Sequence, residues 1–216
     1  MTGTRTTQAV AHEPRLTAKG QATRARIVGV AARLIFESGV AGTSIEDVQI
    51  AAGVSASQLY HYFGDKQGLV RAVIAHRADG VLATQHLLTD PLDSLDALRA
   101  WRDRIVEVQV RRNWQGGCAL GSLANELADA QPDARADLVM AFARWEEPIR
   151  AGLRAMRDRG VLRADADPDR LAVALLTAVE GGLLLTKVRR ETGPLEIALD
   201  TVLEHIASLS AADAPG

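Results

Sequence analysis

Apolar residues recur at helical spacing along most of the chain, and no segment alternates apolar and polar residues as a half-buried strand does. The first clear helix face carries Ile27, Val30, Ala31, Leu34 and Ile35, at positions i, i+3, i+4, i+7 and i+8. Gly39 follows as a stop signal. The pattern therefore predicts an all-α protein whose first helix begins after about residue 21 and ends before Gly39.

A second, short helix is predicted to start at a capping box. Either Thr43 with Glu46 or Ser44 with Asp47 has the required spacing, and the helix then runs through Ala51. Because barely two turns fit between these signals, this helix must be held by its neighbours rather than by its own length.

A third short helix is predicted from a Ser55 cap to about Tyr62. Gly64 and Asp65 then break it and cap a fourth helix, whose apolar face is Leu69, Val70, Val73 and Ile74. Short helices joined by tight turns predict a compact N-terminal three-helix head.

Five further helices are predicted in the larger half of the chain, separated by turns rich in Gly, Pro and Asn. They cover roughly residues 94 to 112, 118 to 129, 133 to 159, 168 to 190 and 195 to 209. The chain is thus expected to fold into about nine helices.

Composition narrows the class of protein. The 216 residues are 47% hydrophobic and include one cysteine, so a buried core is expected and an internal disulfide is excluded. The N-terminus lacks the apolar core of a signal peptide, and the apolar run from Leu171 to Leu185 is interrupted by Glu180. We therefore expect a cytoplasmic protein without a membrane span.

Charge is distributed unevenly although the formal net charge is only -2. Residues 1 to 33 contain six basic residues and one acidic residue, a local charge of +5. Such a segment is typical either of a basic arm that binds nucleic acid or of a solvated leader.

The short helices of the head match the pattern of a helix-turn-helix. Val48 is the apolar residue of the first motif helix, Gly53 permits a positive φ in the turn, and Val54 and Leu59 seat the second helix. The outward face of that helix then offers polar side chains to a DNA groove, namely Ser57, Gln58 and His61, with Tyr60 and Lys66 at its flank.

The segment TSIEDVQIAAGVSASQLYHYFGDKQGLV, residues 43 to 70, resembles the DNA-binding segment of the TetR family of bacterial transcriptional regulators. The stretch GCALGSLANEL, residues 117 to 127, is similar to a segment of flavonoid- and drug-responsive branches. The resemblance implies phosphate contacts from Ser44, Tyr60, His61 and Lys66, and base-edge contacts from Ala56, Ser57 and Gln58. With the cap residue, the expected DNA-binding set is Ser44, Ser55, Ala56, Ser57, Gln58, Tyr60, His61 and Lys66.

Several of these residues have a structural alternative. Gln58 stands three residues after Ser55 and can complete a capping box instead of contacting a base. Tyr62 and Phe63 are expected to pack in the core of the head. Gln49 occupies a position where the family usually has Ala, so either the two motif helices tilt or its amide is hydrogen-bonded locally.

An effector pocket is expected in the larger half, which holds all three tryptophans. Its expected lining is Trp101, Trp114, Cys118, Leu123, Phe142, Trp145 and Ile149. The alternative for each is an ordinary core residue. Asn125, Glu126 and Glu180 are the polar candidates for orienting a ligand. Cys118 also follows two glycines at a helix start, where the dipole can lower a thiol pKa.

Dimerisation is expected through the last two helices, whose apolar stripes are wider than a single core face needs. The expected interface residues are Leu175, Ala178, Gly182, Leu199, Val202 and Ile206, and the alternative is a monomer that packs them internally. One recognition helix contacts few bases, so useful specificity requires two copies.

These features predict a ligand-released repressor that binds a palindromic operator as a homodimer. The alternative is a DNA-binding regulator without a ligand, acting as an activator or as a thiol sensor through Cys118. No cofactor, metal site or catalytic residue is expected, because the five histidines lack metal-ligand spacing and no phosphate loop or nucleophile elbow is present. The expected division is a flexible basic arm (1–21), a DNA-binding domain (22–67), an effector-binding and dimerisation domain (68–210) and a flexible tail (211–216).

Overall fold

The computed structural model describes residues 16–88 and 91–211. The described chain contains nine helices: α1 (Ala18–Ser38), α2 (Ile45–Ala52), α3 (Ala56–Phe63), α4 (Lys66–Leu88), α5 (Leu95–Arg111), α6 (Ala119–Leu127), α7 (Pro132–Asp158), α8 (Pro168–Arg189) and α9 (Gly193–Ser208). Within the same residues the β-structure is limited to one bridge, between Leu162 and Ser210. The all-α prediction is confirmed.

The first helix starts earlier than the apolar pattern indicates. It begins at Ala18, because the Thr17 hydroxyl accepts a hydrogen bond from the Gly20 N–H and satisfies one of the free donors of the first turn. The polar first turn has no apolar periodicity from which a sequence could predict it. Residues 1 to 15 of the expected arm and residues 212 to 216 of the expected tail lie outside the described residues.

The head is built on one small core to which all four N-terminal helices contribute. Ile27 and Ile35 of α1 lie against Val48 of α2, Leu59 of α3 and Val73 of α4, all of them buried. Since α2 and α3 have eight residues each, too few for a stable isolated helix, tertiary packing holds them in place.

The larger half is built around α7 and the closely packed pair of α8 and α9. Gly182 of α8 permits the close approach: a Cβ atom added there would lie 2.8 Å from the Leu195 Cα atom. The faces with which α8 and α9 contact each other are therefore buried within one chain.

Candidate functional site

The turn between α2 and α3 sets the position of the candidate recognition helix. Gly53 adopts a left-handed conformation, with φ 59° and ψ 49°, and its N–H donates to the Gln49 and Ile50 carbonyl oxygens that end α2. Leu59, only 2% exposed, then anchors α3 to the head core. This geometry turns the opposite face of α3 to solvent.

The exposed face of α3 contains the residues that the sequence places there. Its exposed residues are Ser55, Ala56, Ser57, Gln58, Tyr60 and His61. Tyr62 and Phe63 are partly buried against the head core, and the Arg24 guanidinium of α1 lies 5.3 Å from the centre of the Phe63 ring. Tyr62 and Phe63 thus fix α3 to α1, as expected from their spacing.

Both motif helices begin with a complete capping box. The Ser44 hydroxyl accepts from the Asp47 N–H at 3.0 Å, and the Asp47 carboxylate accepts from the Ser44 N–H at 2.8 Å. The Ser44 hydroxyl also donates to the Asp47 carboxylate, at 2.6 Å. This hydrogen bond and the one from the Ser44 N–H hold the pKa of Asp47 below its usual value. Thr43 does not form the box, because it is buried and its hydroxyl donates to the Gly39 carbonyl.

The second box engages Gln58. The Gln58 Oε1 atom accepts from the Ser55 N–H at 3.0 Å, and the Ser55 hydroxyl accepts from the Gln58 N–H at 3.2 Å. Of the two alternatives for Gln58, the structure adopts the capping one. The Ser57 hydroxyl also lies 3.0 Å from the Ser55 hydroxyl, within hydrogen-bond distance. Ala56 and Ser57 remain the candidates for base-edge contacts.

Cations border α3 without acidic partners. Within the part of the chain that the structure describes, Lys19, Arg24, Arg26 and Lys66 form no ion pair. Lys66 stands in the first turn of α4, where Asp65 accepts from the Gly68 N–H at 2.7 Å. Four unpaired cations give this surface the positive potential that a phosphate backbone requires.

Gln49 does not disrupt the motif. The residue is half-buried, and its side-chain amide makes no hydrogen bond within the described residues. Its backbone carbonyl accepts from the Val54 N–H at 3.2 Å, so the turn closes normally. Of the two alternatives, local hydrogen bonding of the amide is therefore wrong.

A cavity of about 620 Å³ lies in the larger half, beneath the head. It is lined by Phe36, His76, Arg77, Gly80, Val81, Trp101, Ile105, Val108, Gln109, Arg112, Gln115, Gly117, Cys118, Ala119, Trp145, Val179 and Leu183. Three residues of the expected lining are present, namely Trp101, Cys118 and Trp145. The volume lies in the range of small-molecule sites.

Four residues of the expected lining are not among the residues that line this cavity, namely Trp114, Leu123, Phe142 and Ile149. Trp114 is in the turn after α5, where its φ is 56°. Leu123 borders a separate small space beneath the head, Phe142 stacks on Trp145 with ring centres 6.4 Å apart, and Ile149 is fully buried in the core. Helical spacing places these residues on inward faces but does not tell a cavity wall from packed core.

The polar residues that line the cavity were not predicted from the sequence. The Arg77 guanidinium lies 5.4 Å from the centre of the Phe36 ring, and its Nη2 atom donates to the Ala32 carbonyl of α1. Burial lowers the pKa of Arg77, and the neighbouring charge of Arg112 adds to this effect. The sequence does contain a signal for these polar lining residues: Arg77 and Gln109 interrupt helix faces that are otherwise apolar.

The polar residues expected to orient a ligand lie outside the cavity lining. Asn125 is exposed, and the Glu126 carboxylate accepts a hydrogen bond from the Val40 N–H at 2.8 Å. Glu126 therefore ties α6 to the chain that follows α1. Its function is to hold the head on the larger half.

Cys118 is not an activated thiol. Burial and the neighbouring Glu180 carboxylate raise the pKa of Cys118, although its Sγ atom accepts from the Gly121 N–H at 3.4 Å. Burial and the Glu180 carboxylate outweigh the dipole at the helix start, which was expected to lower the thiol pKa. The thiolate needed for redox sensing is therefore disfavoured.

Glu180 has an incompletely satisfied carboxylate. Its Oε1 atom is buried and has no hydrogen-bond partner among the described residues, and burial raises the pKa of Glu180, an effect reduced by the Cys118 thiol. A raised pKa means that folding favours the protonated acid. The stability of the fold therefore falls as the pH rises through the pKa of folded Glu180.

Replacing Glu180 with Gln is expected to stabilise the protein at neutral pH by about 1–3 kcal/mol, because an uncompensated buried charge is removed. The advantage should disappear as the pH falls below the ordinary glutamate value of 4.5. Thermal unfolding across this range measures the effect. Glu204→Gln alters an exposed carboxylate on α9 and is the matched control. A Gln variant less stable than wild type at neutral pH would contradict this account.

The expected dimer-interface residues are mostly buried within one chain. Leu175, Gly182, Leu199 and Ile206 are buried in the protomer, where they pack the larger half. These four assignments are therefore wrong, since fully packed side chains present no surface to a partner. Ala178 and Val202 are half-buried.

A different face of α8 and α9 is left exposed. Its large apolar members are Val173, Leu184, Leu185 and Val188 on α8 and Ile197 on α9, with exposed fractions from 43% to 71%. Thr177, Gly181 and Thr201 lie exposed between them. We call these eight residues the α8–α9 face.

Among the described residues, no group of three or more His, Cys, Asp or Glu side chains is able to hold a metal ion. One helix in the same part of the chain, α8, is long and apolar enough to cross a membrane, with mean hydropathy 1.7 over its most apolar window, of which 44% is buried in the protein.

An exposed second motif helix on a head joined to a helical domain with a cavity defines the class of helix-turn-helix transcriptional regulators. Residues 27–73 match the model described as "Bacterial regulatory proteins, tetR family", and residues 94–202 match "Tetracyclin repressor-like, C-terminal domain". The chain belongs to the TetR family of bacterial transcriptional regulators.

Individual proteins show the same similarity. The chain is 29% identical to the transcriptional regulator AcuR of Cereibacter sphaeroides, over 81% of this chain and 80% of AcuR. It is 25% identical to the transcriptional repressor DhaR of Mycobacterium sp. strain GP1, over 85% and 91%. A TetR regulator structure from Chloroflexus aurantiacus superposes with TM-score 0.76 at 28% identity, over 90% of this chain and 98% of that one.

Proposed function

We propose that the protein is a repressor that binds a palindromic operator as a homodimer and releases it when a small, largely apolar molecule enters the cavity. Membership of a DNA-binding family supports the general assignment, and DhaR, a similar protein, is a repressor. The observation that carries the proposal is the direct connection of the cavity wall to the DNA-binding head through α4.

The DNA face of the proposal is the exposed side of α3 with its bordering cations. Ala56 and Ser57 face the base edges, while Tyr60, His61 and Lys66 contact phosphates on either side. Each of these side chains except Lys66 is exposed, and Lys66 is half-buried with no acidic partner among the described residues. A surface of this kind loses counterions on binding DNA, so its affinity falls steeply with salt.

The homodimer forms through the α8–α9 face. Exposed apolar side chains of this number are costly in a monomer and are typical of a protein interface. They also account for the hydropathy of α8: its buried residues pack in the chain, and its exposed ones pack against the partner. In a two-fold dimer the two α3 helices read half-sites about one helical turn, roughly 34–36 Å, apart. A cytoplasmic, nucleoid-associated location follows from this activity.

Release from DNA operates through α4. Arg77 and Val81 of α4 line the cavity, and Lys66 begins the same helix at the DNA face. Lys66 and Arg77 are eleven positions apart, which corresponds to roughly 16 Å of helix. A ligand that displaces the cavity part of α4 therefore shifts the head, provided that ligand and DNA favour different conformers.

The proposal is tested by selecting random DNA duplexes with the purified protein at moderate salt. We expect an inverted repeat whose half-site centres are about one helical turn apart. Recovery of a single half-site, or of no sequence above background, would reject the palindromic operator. The recovered duplex then serves as the probe for ligand release.

A further inference from the structure

The cavity has a one-sided charge distribution. Its lining includes His76, Arg77 and Arg112 and contains no Asp or Glu, although the Glu180 carboxylate lies next to Cys118 of the lining. Arg77 is half-buried and Arg112 is exposed at the rim, and neither forms an ion pair within the described residues. Two neighbouring cations above an apolar cavity repel one another, so their proximity is unfavourable until an anion binds.

An unsatisfied polar side chain lies deeper in the same cavity. Gln109 is 4% exposed, lines the cavity, and makes no side-chain hydrogen bond with the described residues. The indole Nε1 of Trp145, which also lines the cavity, has no acceptor there either. The Gln109 amide is therefore free to hydrogen-bond a molecule that enters the cavity. The Trp145 Nε1 atom is fully enclosed, so a ligand contacts the Trp145 ring rather than this donor.

We propose that the effector is an organic carboxylate with an apolar, preferably aromatic body. This assignment deepens the proposed function and rests on it. The carboxylate lies between Arg77 and Arg112, the Gln109 amide donates to it, and the aromatic body contacts Trp101 and Trp145. A singly charged planar group matches the two parallel donors of a guanidinium.

The position of Arg77 connects recognition of the anion to the head. In the structure the Arg77 Nη2 atom donates to the Ala32 carbonyl of α1, and its guanidinium covers the Phe36 ring. A carboxylate is a stronger acceptor for arginine than a neutral carbonyl. A bound anion therefore draws Arg77 away from α1 and loosens the contact between α4 and the head.

The experiment compares matched acids and amides by isothermal titration calorimetry. The probes are naphthalene-1-acetate against naphthalene-1-acetamide, and phenylacetate against phenylacetamide as a smaller pair. The proteins are wild type, Arg112→Gln and Arg77→Gln. The matched control is Arg99→Gln, which removes an exposed arginine on α5, the helix that Arg112 directly follows; Arg99 is paired there with Asp96.

We expect wild type and Arg99→Gln to bind at least one acid about 10-fold or more tightly than its amide. This preference should fall to less than about 3-fold in Arg112→Gln and in Arg77→Gln. Equal binding of acid and amide by wild type would overturn the inference, as would no binding of either acid at millimolar concentration. A preference that persists in Arg112→Gln would also overturn it.

Operator binding, measured in parallel, separates this inference from the proposed function. Arginine-dependent binding of the acid without loss of the operator complex would uphold the ligand class and reject ligand-induced release. Operator release by the amide as readily as by the acid would uphold release and reject the carboxylate. Calorimetry needs no DNA, so its result stands even if no operator is found.

Discussion

Leu184→Glu is expected to convert the protein into a monomer and to reduce its operator affinity to about the non-specific level, a loss of roughly 10³-fold or more. Leu184 is 60% exposed in the α8–α9 face. A two-fold interface brings each substituted position towards its own copy or its neighbours, so two carboxylates are buried together without partners. Analytical ultracentrifugation should show the single-chain mass of 23.1 kDa.

The control for this substitution is Val139→Glu. Val139 is an apolar side chain on α7 that is 62% exposed, outside the α8–α9 face. It should leave both the oligomeric state and the operator affinity unchanged. Circular dichroism checks that each variant retains its helices. A Leu184→Glu protein that remains a dimer would show that this face does not form the interface.

Joint replacement of Tyr60 and Lys66 with Ala is expected to weaken binding to every duplex by about 100-fold or more at moderate salt. Each dimer loses two Lys66 charges, so the slope of log affinity against log salt should fall by about 1.8. Base preference should be retained, because these side chains contact phosphates. Fluorescence anisotropy over a range of salt concentrations measures both quantities.

Three further variants distinguish the contributions at this surface. Arg99→Ala removes a positive charge far from α3 and should leave the salt slope unchanged. Lys66→Ala alone should produce the whole change in slope, and Tyr60→Ala should reduce affinity without changing it. A wild-type slope in the Lys66→Ala protein would contradict the phosphate contact of Lys66.

The helical architecture was accessible from the sequence because its signals are local. The predicted helix over residues 168 to 190 is observed as Pro168–Arg189, and the predicted caps Ser44 and Ser55 both begin helices. Caps, glycine stops and apolar periodicity act within one or two turns, so they require no knowledge of the rest of the fold.

Only part of the candidate site could be predicted from the sequence. The sequence predicted Trp101, Cys118 and Trp145 in the cavity, but not the pair of arginines above them. Whether Arg77 points to solvent or into a cavity depends on how α4 packs against five other helices. The pKa of Cys118 shows the same dependence, because burial and the Glu180 carboxylate outweigh the helix start that is visible in the sequence.

The sequence by itself determined the class of protein, the order of nine helices and the exposed face of α3, since these follow from periodicity, caps and one specific motif. Only the tertiary structure decided which apolar residues of α8 and α9 remain exposed. Leu175 and Leu199 belong to the stronger apolar pattern, yet they are buried inside the chain. Leu184 and Ile197 remain exposed. An amphipathic stripe indicates that one face of a helix must be buried. Which other helix, in the same chain or in another, buries that face depends on three-dimensional packing.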